Sequence, residues 1–337
     1  MDTQRRFVNE IKAGETLDQV FLVTGKELRT TRKGDFYVTC KLSDKTGHLP
    51  ARMWQATESI FTAIPSEGFL HVKGRAEDYK GSLQFIIDAC RPFPREQVEL
   101  DDFLAVTQCD VEAMWSELLE ILRAVKDRHV RLLIKKFIED RNFVASYKRA
   151  PAAMQMHHPF LGGLLEHTLN VARAAKALLG MYPKLNADLV LAGVFFHDMG
   201  KIAELTAGTA VSYTDRGQLV GHITIAAIWL AQRAAAVAEE TSEPFPQQTL
   251  DLLQHIVLSH HGVLEYGSPK LPMIPEAYFI HFLDNLDAKM FMTVRDIEND
   301  PDPTGSFTAF NRQLGTRLFK RSAQGQNPKD ASPGLFE

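Results

Sequence analysis

The chain has 337 residues, room for two domains and a sizeable core, and its 45% apolar and 24% charged content excludes a disordered or fibrous chain. No apolar run is long enough to cross a bilayer, and no apolar stretch comes after Met1-Asp2-Thr3-Gln4-Arg5-Arg6, so neither a membrane protein nor a signal peptide is expected. Three scattered cysteines, Cys40, Cys90 and Cys109, form no ligand pair and suit a reducing cytoplasm. The net charge of −4 divides unevenly: residues 1–95 hold 15 Lys+Arg against 12 Asp+Glu, and the rest 23 against 30. The front is mildly basic and the back acidic; a cation-binding site would suit the acidic part, and solubility alone would also explain it.

Residues 1–12 read as a short amphipathic lead-in. From Thr16 to about Phe93 the pattern is β. Leu17–Val23 and Phe36–Leu42 are strand-like, and Lys33-Gly34 makes the turn between them. Asp44-Lys45-Thr46-Gly47 turns into His48–Trp54, and Gln55–Ile64 reads as a short helix. Phe69–Gly74 and Ser82–Ile87 flank the turn at Lys80-Gly81. Five strands with a helix after the third is the order of an OB-fold barrel, a frequent platform for single strands. Lys26, Arg29, Arg32 and Lys33 are the candidate phosphate contacts, and Phe36, Tyr37, Trp54 and Tyr79 the candidate stacking rings. Taken singly, Phe36 and Trp54 are expected to fill the barrel and the cations to be solvated. Taken as a whole, the barrel is expected to bind nucleic acid, because of the domain behind it in the chain. His48 and His71 lie in strand-like runs and read as structural.

Pro92-Phe93-Pro94 ends the barrel, and the acidic run through Asp101-Asp102 reads as a linker or short helix. From Asp110, a plausible N-cap, the period is helical: Val111, Met114, Trp115, Leu118, Leu119 and Leu122 form a core stripe. A second helix covers about Arg128 to Asp140. The chain to about Lys320 reads as helical segments separated by loops. Residues 1–95 are therefore expected as the barrel, 96–150 as a helical connector belonging to the second domain, and 151–320 as an all-α domain. Residues 321–337 are expected to be a disordered tail, rich in Pro and Gly and ending in Leu335-Phe336.

The chemistry concentrates in that second domain. The apolar run Leu189–Phe196 ends in His197-Asp198-Met199-Gly200-Lys201. An adjacent imidazole and carboxylate can ligate one ion only where the backbone is firmly packed, and the apolar run supplies that packing. Gly200 is expected as a left-handed helix cap and Lys201 as a point charge for a phosphate. Eight of the 12 histidines lie between His157 and His261, and His281 is nearby. Any one of them alone is more often a core or capping residue than a ligand. Together, with oxygen donors and no thiolate, they suit one or two divalent ions.

Here the chain resembles the HD superfamily of metal-dependent phosphohydrolases. Its pattern of an isolated His, a His-Asp pair and a later helical Asp falls on His167, His197, Asp198 and Asp284. His222 and the His260-His261 pair stand where two-metal members carry further ligands. The ordered string also resembles the YhaM-type 3′→5′ exoribonucleases. It runs through His157-His158, Gly162-Gly163, His197 to Lys201, Gly221-His222-Ile223, Ser259-His260-His261-Gly262, Gly267-Ser268-Pro269-Lys270 and Leu283 to Met290. The resemblance covers roughly residues 15–320 and is specific in the HD half. It implies an N-terminal OB-fold and a C-terminal HD domain that hydrolyses phosphodiesters with metal-activated water. Asp198 would bridge two ions, His167, His197 and Asp284 would complete one site, and His222, His260 and His261 the other. Manganese is the first expectation, with iron, cobalt, nickel or zinc as alternatives. Asp198 and Lys201 are the expected catalytic residues. His157, His158, Asp287 and Lys289 are expected around the ligands or against substrate, with helix caps and surface charges as the plainer reading. The expected substrate is single-stranded RNA, with DNA second; no membrane partner is expected, and a homo-oligomer is compatible. Two other functions compete: a phosphodiesterase for nucleotides or cyclic dinucleotides, and a non-catalytic strand-binding protein. The barrel argues against the first and the full donor set against the second.

Overall fold

The computed structural model describes residues 5–31, 33–79, 81–154, 158–207, 211–300, 302 and 304–320. Arg32, His157 and the tail with Leu335-Phe336 lie outside the described residues. Strands β1 (Thr16–Thr30), β2 (Phe36–Asp44), β3 (Gly47–Trp54), β4 (Gly68–Tyr79) and β5 (Ser82–Phe93) close into a barrel of order β1-β2-β3-β5-β4. Helix α1 (Glu58–Ala63) falls after β3, and β3 pairs with β5 in parallel. Strand alternation fills the interior: Phe21, Val23, Val38, Cys40, Leu42, Leu49, Leu70, Val72 and Phe85 are buried in one core. The same alternation corrects one expectation. Trp54 pairs with Tyr37 across β2 and β3 on the outer face, so it is 43% exposed instead of filling the barrel. Phe36 opens β2, beyond the packed interior, and is likewise exposed.

The connector expected to belong to the second domain divides. Phe103 packs edge-on against Phe69 of the barrel, with ring centroids 4.9 Å apart, and the Arg5 guanidinium covers its face. Val106, three residues on, bridges to Leu161 of the helical region. An aromatic side chain that finds an apolar seat on the barrel thus holds the first half there.

The second domain has its own core around α6 (Ala187–Phe196). Every residue from Leu189 to Phe196 is buried, as an all-round apolar helix must be. Around it pack α2 (Val111–Leu122), α3 (Arg128–Ile138), α4 (Arg141–Arg149), α5 (Gly163–Leu178), α9 (His222–Thr241), α10 (Gln247–Ser259) and α11 (Pro275–Glu298). Asp110 caps α2 by accepting from the amides of Glu112 and Ala113. The helix expected through Asp140 stops at Ile138, because the Asp140 carboxylate caps α4 through the amides of Asn142 and Phe143. After the short α7 (Lys201–Glu204) the chain adds a small hairpin, β6 (Leu205–Ala207) and β7 (Val211–Tyr213), where only loops were expected. Helix α8 (Asp215–Val220) then leads into α9.

Candidate active site

Five helices bring the donors together. His167 lies in the second turn of α5, His197-Asp198 come directly after α6, His222 opens α9, His260 ends α10, and Asp284 sits midway along α11. Gly200 is not the left-handed cap expected; its φ is −65°. A Cβ there would lie 2.0 Å from the His222 carbonyl oxygen, so glycine is needed for α7 and α9 to approach. Gly262 does adopt the left-handed conformation, with φ of +78°, after His260-His261.

Asp198 is the hub. Its Oδ2 lies 3.4 Å from His197 Nε2 and 3.5 Å from His167 Nε2, and His167 Nε2 is 3.2 Å from Asp284 Oδ1. Its Oδ1 lies 3.5 Å from both His222 Nε2 and His260 Nε2. His261 completes that second group. Asp198, His167, His197 and His260 are all but fully buried. Donor atoms about 3 Å apart are what bonds of about 2.1 Å to a shared ion produce. Among the described residues, Asp198 Oδ1, His222 Nε2 and His260 Nε2 are buried without a hydrogen-bond partner. Three buried polar atoms aimed at one point carry a desolvation cost that a cation removes, so the residues fit divalent metal.

The other ring nitrogens are spoken for. His197 Nδ1 donates to the Val194 carbonyl at 2.7 Å, His260 Nδ1 to Val257 at 2.7 Å, and His261 Nδ1 to Tyr266 at 2.7 Å. His222 Nδ1 donates to Glu204 at 2.9 Å, and His167 Nδ1 to Asp287 at 2.7 Å. Each bond fixes the tautomer and turns the Nε2 lone pair inward. Glu204 also accepts from the His222 amide, at 2.9 Å. Sequence reading missed Glu204; its one signal was a carboxylate shortly after the His-Asp motif. Asp287 in turn meets His158 Nε2 at 3.1 Å, and His158 Nδ1 lies 3.5 Å from Glu166, which accepts from the Thr107 hydroxyl. Glu166 and Thr107 were also missed.

Burial would raise the Asp198 carboxyl, but the Lys201 ammonium and the surrounding imidazoles outweigh it and hold it well below the usual range. Lys201 is itself buried and donates to Asp198 Oδ2 at 2.6 Å. Burial opposes charge on His167 as well, yet Asp284 and Asp287 push it up to about 10. Burial lowers His222 despite its bond to Glu204, and burial with two neighbouring imidazoles pushes His261 down to about 3. Lys289 is exposed on the outer side of α11, away from this cluster.

On the barrel, Tyr37 and Trp54 stack with centroids 5.0 Å apart. Arg52, not singled out in the sequence, lies over both Trp54 and Tyr79, at 5.8 and 5.3 Å. Its place at i−2 from Trp54 on one strand was the available signal. Lys26 turns away from solvent: its ammonium donates to the Phe61 carbonyl at 2.9 Å and closes α1. Arg29 is exposed and bonded to Glu27, and Lys33 is exposed beside the first hairpin.

A family model described as "HD domain" matches residues 164–289, from the start of α5 into α11. The barrel and this centre together define an HD-domain protein with an OB-type module ahead of it. A 3′-5′ exoribonuclease YhaM from Bacillus subtilis (strain 168) is 33% identical over 288 residues, 85% of this chain and 89% of its own. Its counterpart in Geobacillus sp. (strain WCH70) is 34% identical over 309 residues, 91% and 92% of the two chains. That of Halalkalibacterium halodurans is 30% identical over 322 residues, 95% and 98%. This chain belongs to the YhaM 3′-5′ exoribonuclease family. Among the described residues no helix is long and apolar enough to cross a membrane.

Proposed function

We propose that the chain is a metal-dependent exoribonuclease that shortens single-stranded RNA from its 3′ end. The observation that carries this is the hub: one buried carboxylate presents each oxygen to a separate group of imidazoles. The relatives' names supply the direction and the polymer. Bound divalent ions would supply an activated water and a Lewis acid at the phosphoryl group. His167, His197 and Asp284 would hold one ion and His222, His260 and His261 a second, with Asp198 available to both. Lys201 keeps Asp198 ionised and adds positive charge where the attacked phosphate gathers negative charge. Asp287, His158 and Glu204 orient the ligating rings. Imidazole and carboxylate donors without thiolate favour manganese, with iron, cobalt, nickel and zinc as the ions to compare. On the barrel, Tyr37, Trp54 and Tyr79 stack on bases, and Arg29, Arg32, Lys33 and Arg52 meet phosphates. The strand-binding face favours a polymer over a free nucleotide. DNA shares those phosphates and bases and is the second polymer to test.

The test is digestion of one RNA strand labelled at its 5′ end, with each metal and with chelator. A ladder of shortening labelled products that chelator abolishes is expected. Early release of a labelled mononucleotide would overturn the direction, and an intact strand under every metal would overturn the nuclease.

A further inference from the structure

Helix α11 reaches both ligand groups, by two different means. Asp284 belongs to the first group, with its Oδ1 3.2 Å from His167 Nε2. His281 lies one turn earlier on the same face of the helix and belongs to neither group. Its Nδ1 donates to the His260 carbonyl at 2.8 Å. His260 in turn ends α10 and presents Nε2 to Asp198 Oδ1 in the second group.

The last carbonyls of a helix have no partner inside it, and His260 is fully buried, out of reach of water. His281 supplies the donor that this carbonyl needs. The ring fits closely. A Cβ on Gly262 would lie 2.2 Å from His281 Cε1 and 2.3 Å from its Nε2, so the ring rests against bare backbone. The Gly262 amide donates to the Ser259 carbonyl at 2.8 Å and closes the turn that carries His260 and His261. His260 is thereby held twice. Its Nδ1 donates to Val257 and sets the ring, and its carbonyl accepts from His281 and sets the backbone.

We propose, on the two-ion reading above, that His281 is a positioning residue for the second group: it fixes the His260-His261 turn against the helix that carries Asp284. One carboxylate can serve two ions only if both ligand groups keep their spacing, and such constellations must hold to within about 0.5 Å. A single helix that supplies a ligand to one group and a hydrogen bond to the backbone of the other sets that spacing. The role needs a donor on a short stem at the place of Nδ1. The amide nitrogen of an Asn side chain stands at the same distance from the backbone and offers such a donor.

Manganese titration of the metal-free full chain tests this, with two substitutions of similar shape of which one keeps a donor. The wild type should take up two equivalents. His281→Leu should bind one at wild-type affinity and the other about 10–100-fold more weakly, with unchanged helix content. His281→Asn should recover most of that loss. His281→Ala guards against a Leu variant that does not fold, and should likewise weaken one equivalent only. In a His222→Ala background, which keeps the first-group ion, His281→Leu should leave the remaining affinity unchanged. Two equivalents unaltered in the donor-free variants overturn the proposal alone. Equal weakening of both equivalents overturns it too, because α11 would then have loosened as a whole. So does a further loss in the His222→Ala background, or a His281→Asn that binds no better than His281→Leu. A wild type with one equivalent overturns the two-ion reading, and this proposal with it.

Discussion

Asp198 and Lys201 form a buried ion pair inside a site shaped for cations, and its two halves separate by mutation. Removing one partner of such a pair leaves the other charge buried and unpaired, at a cost of about 3–5 kcal/mol. Asp198→Asn should therefore abolish hydrolysis and also lower the unfolding free energy of the metal-free protein. Asp198→Asn/Lys201→Met should recover that stability while remaining inactive. Recovered activity in the double variant would refute Asp198 as the bridging ligand. A proton competes with metal for each ring, so ligation through neutral imidazole predicts that metal is lost in acid. Metal content measured against pH should fall as the rings take up protons; content that stays constant down to about pH 4, well below the ordinary imidazole value, contradicts ligation by the histidines. The side chains that converge on Asp198 were legible from residue type and order. Gly200 was legible as important but not for its reason, since the closeness of the His222 carbonyl is a tertiary fact. Gly200→Ala should shift His222 and lower metal stoichiometry, and an unchanged stoichiometry would show that α7 and α9 can yield.

Helix periods were the part of the fold most open to reading, because an apolar row at three and four residues needs no partner to be recognised. The Asp140 carboxylate escaped that reading: continuing α3 and capping α4 look alike until the chain turns. The hairpin at 205–213 escaped because three-residue strands carry too little alternation. Polar links between elements escaped for a different reason, since they join residues far apart in sequence. Thr107 of the connector bonds Glu166 of α5, Glu166 faces His158, His158 meets Asp287 of α11, and Asp287 holds His167. Outer partners of this kind commonly change metal affinity by about 10–100-fold. Glu166→Gln should weaken metal binding on the His167 side and leave the His222 side unchanged, read by titration of the metal-free protein. Equal weakening of both sides would mean general loosening of the domain, and no weakening would remove the relay.

At the scale of the molecule, the two larger cores among the described residues divide the labour: the barrel core lies before residue 90 and the helical core after residue 110, with a small cluster of Leu22, Phe69 and Phe103 tying the connector to the barrel. Order of strands and the excess of positive charge made the barrel legible, but its working face depended on parity. A strand's inner and outer rows differ by one residue, and Trp54 falls on the outer row with Tyr37 and Arg52. The face predicts a dissociation between polymer and small substrates. Stacking on such rings contributes roughly 1–3 kcal/mol per base. Tyr37→Ala/Trp54→Ala/Tyr79→Ala should therefore weaken binding of a long single strand by about tenfold or more. Turnover of a small chromogenic diester, which needs only the metal centre, should stay within about twofold of wild type, because an untethered substrate gains nothing from the barrel. The barrel's cations are untouched in this variant, so the slope of log affinity against log salt should persist. Charge reversal at Lys33 and Arg52 should instead make that slope shallower. Strand affinity and diester turnover measured side by side across a salt series separate these effects. Unchanged strand affinity in the triple variant would assign the barrel to assembly instead of substrate. An equal loss for strand and diester would mean that the substitutions reach the metal centre through the connector that joins Phe103 to Leu161.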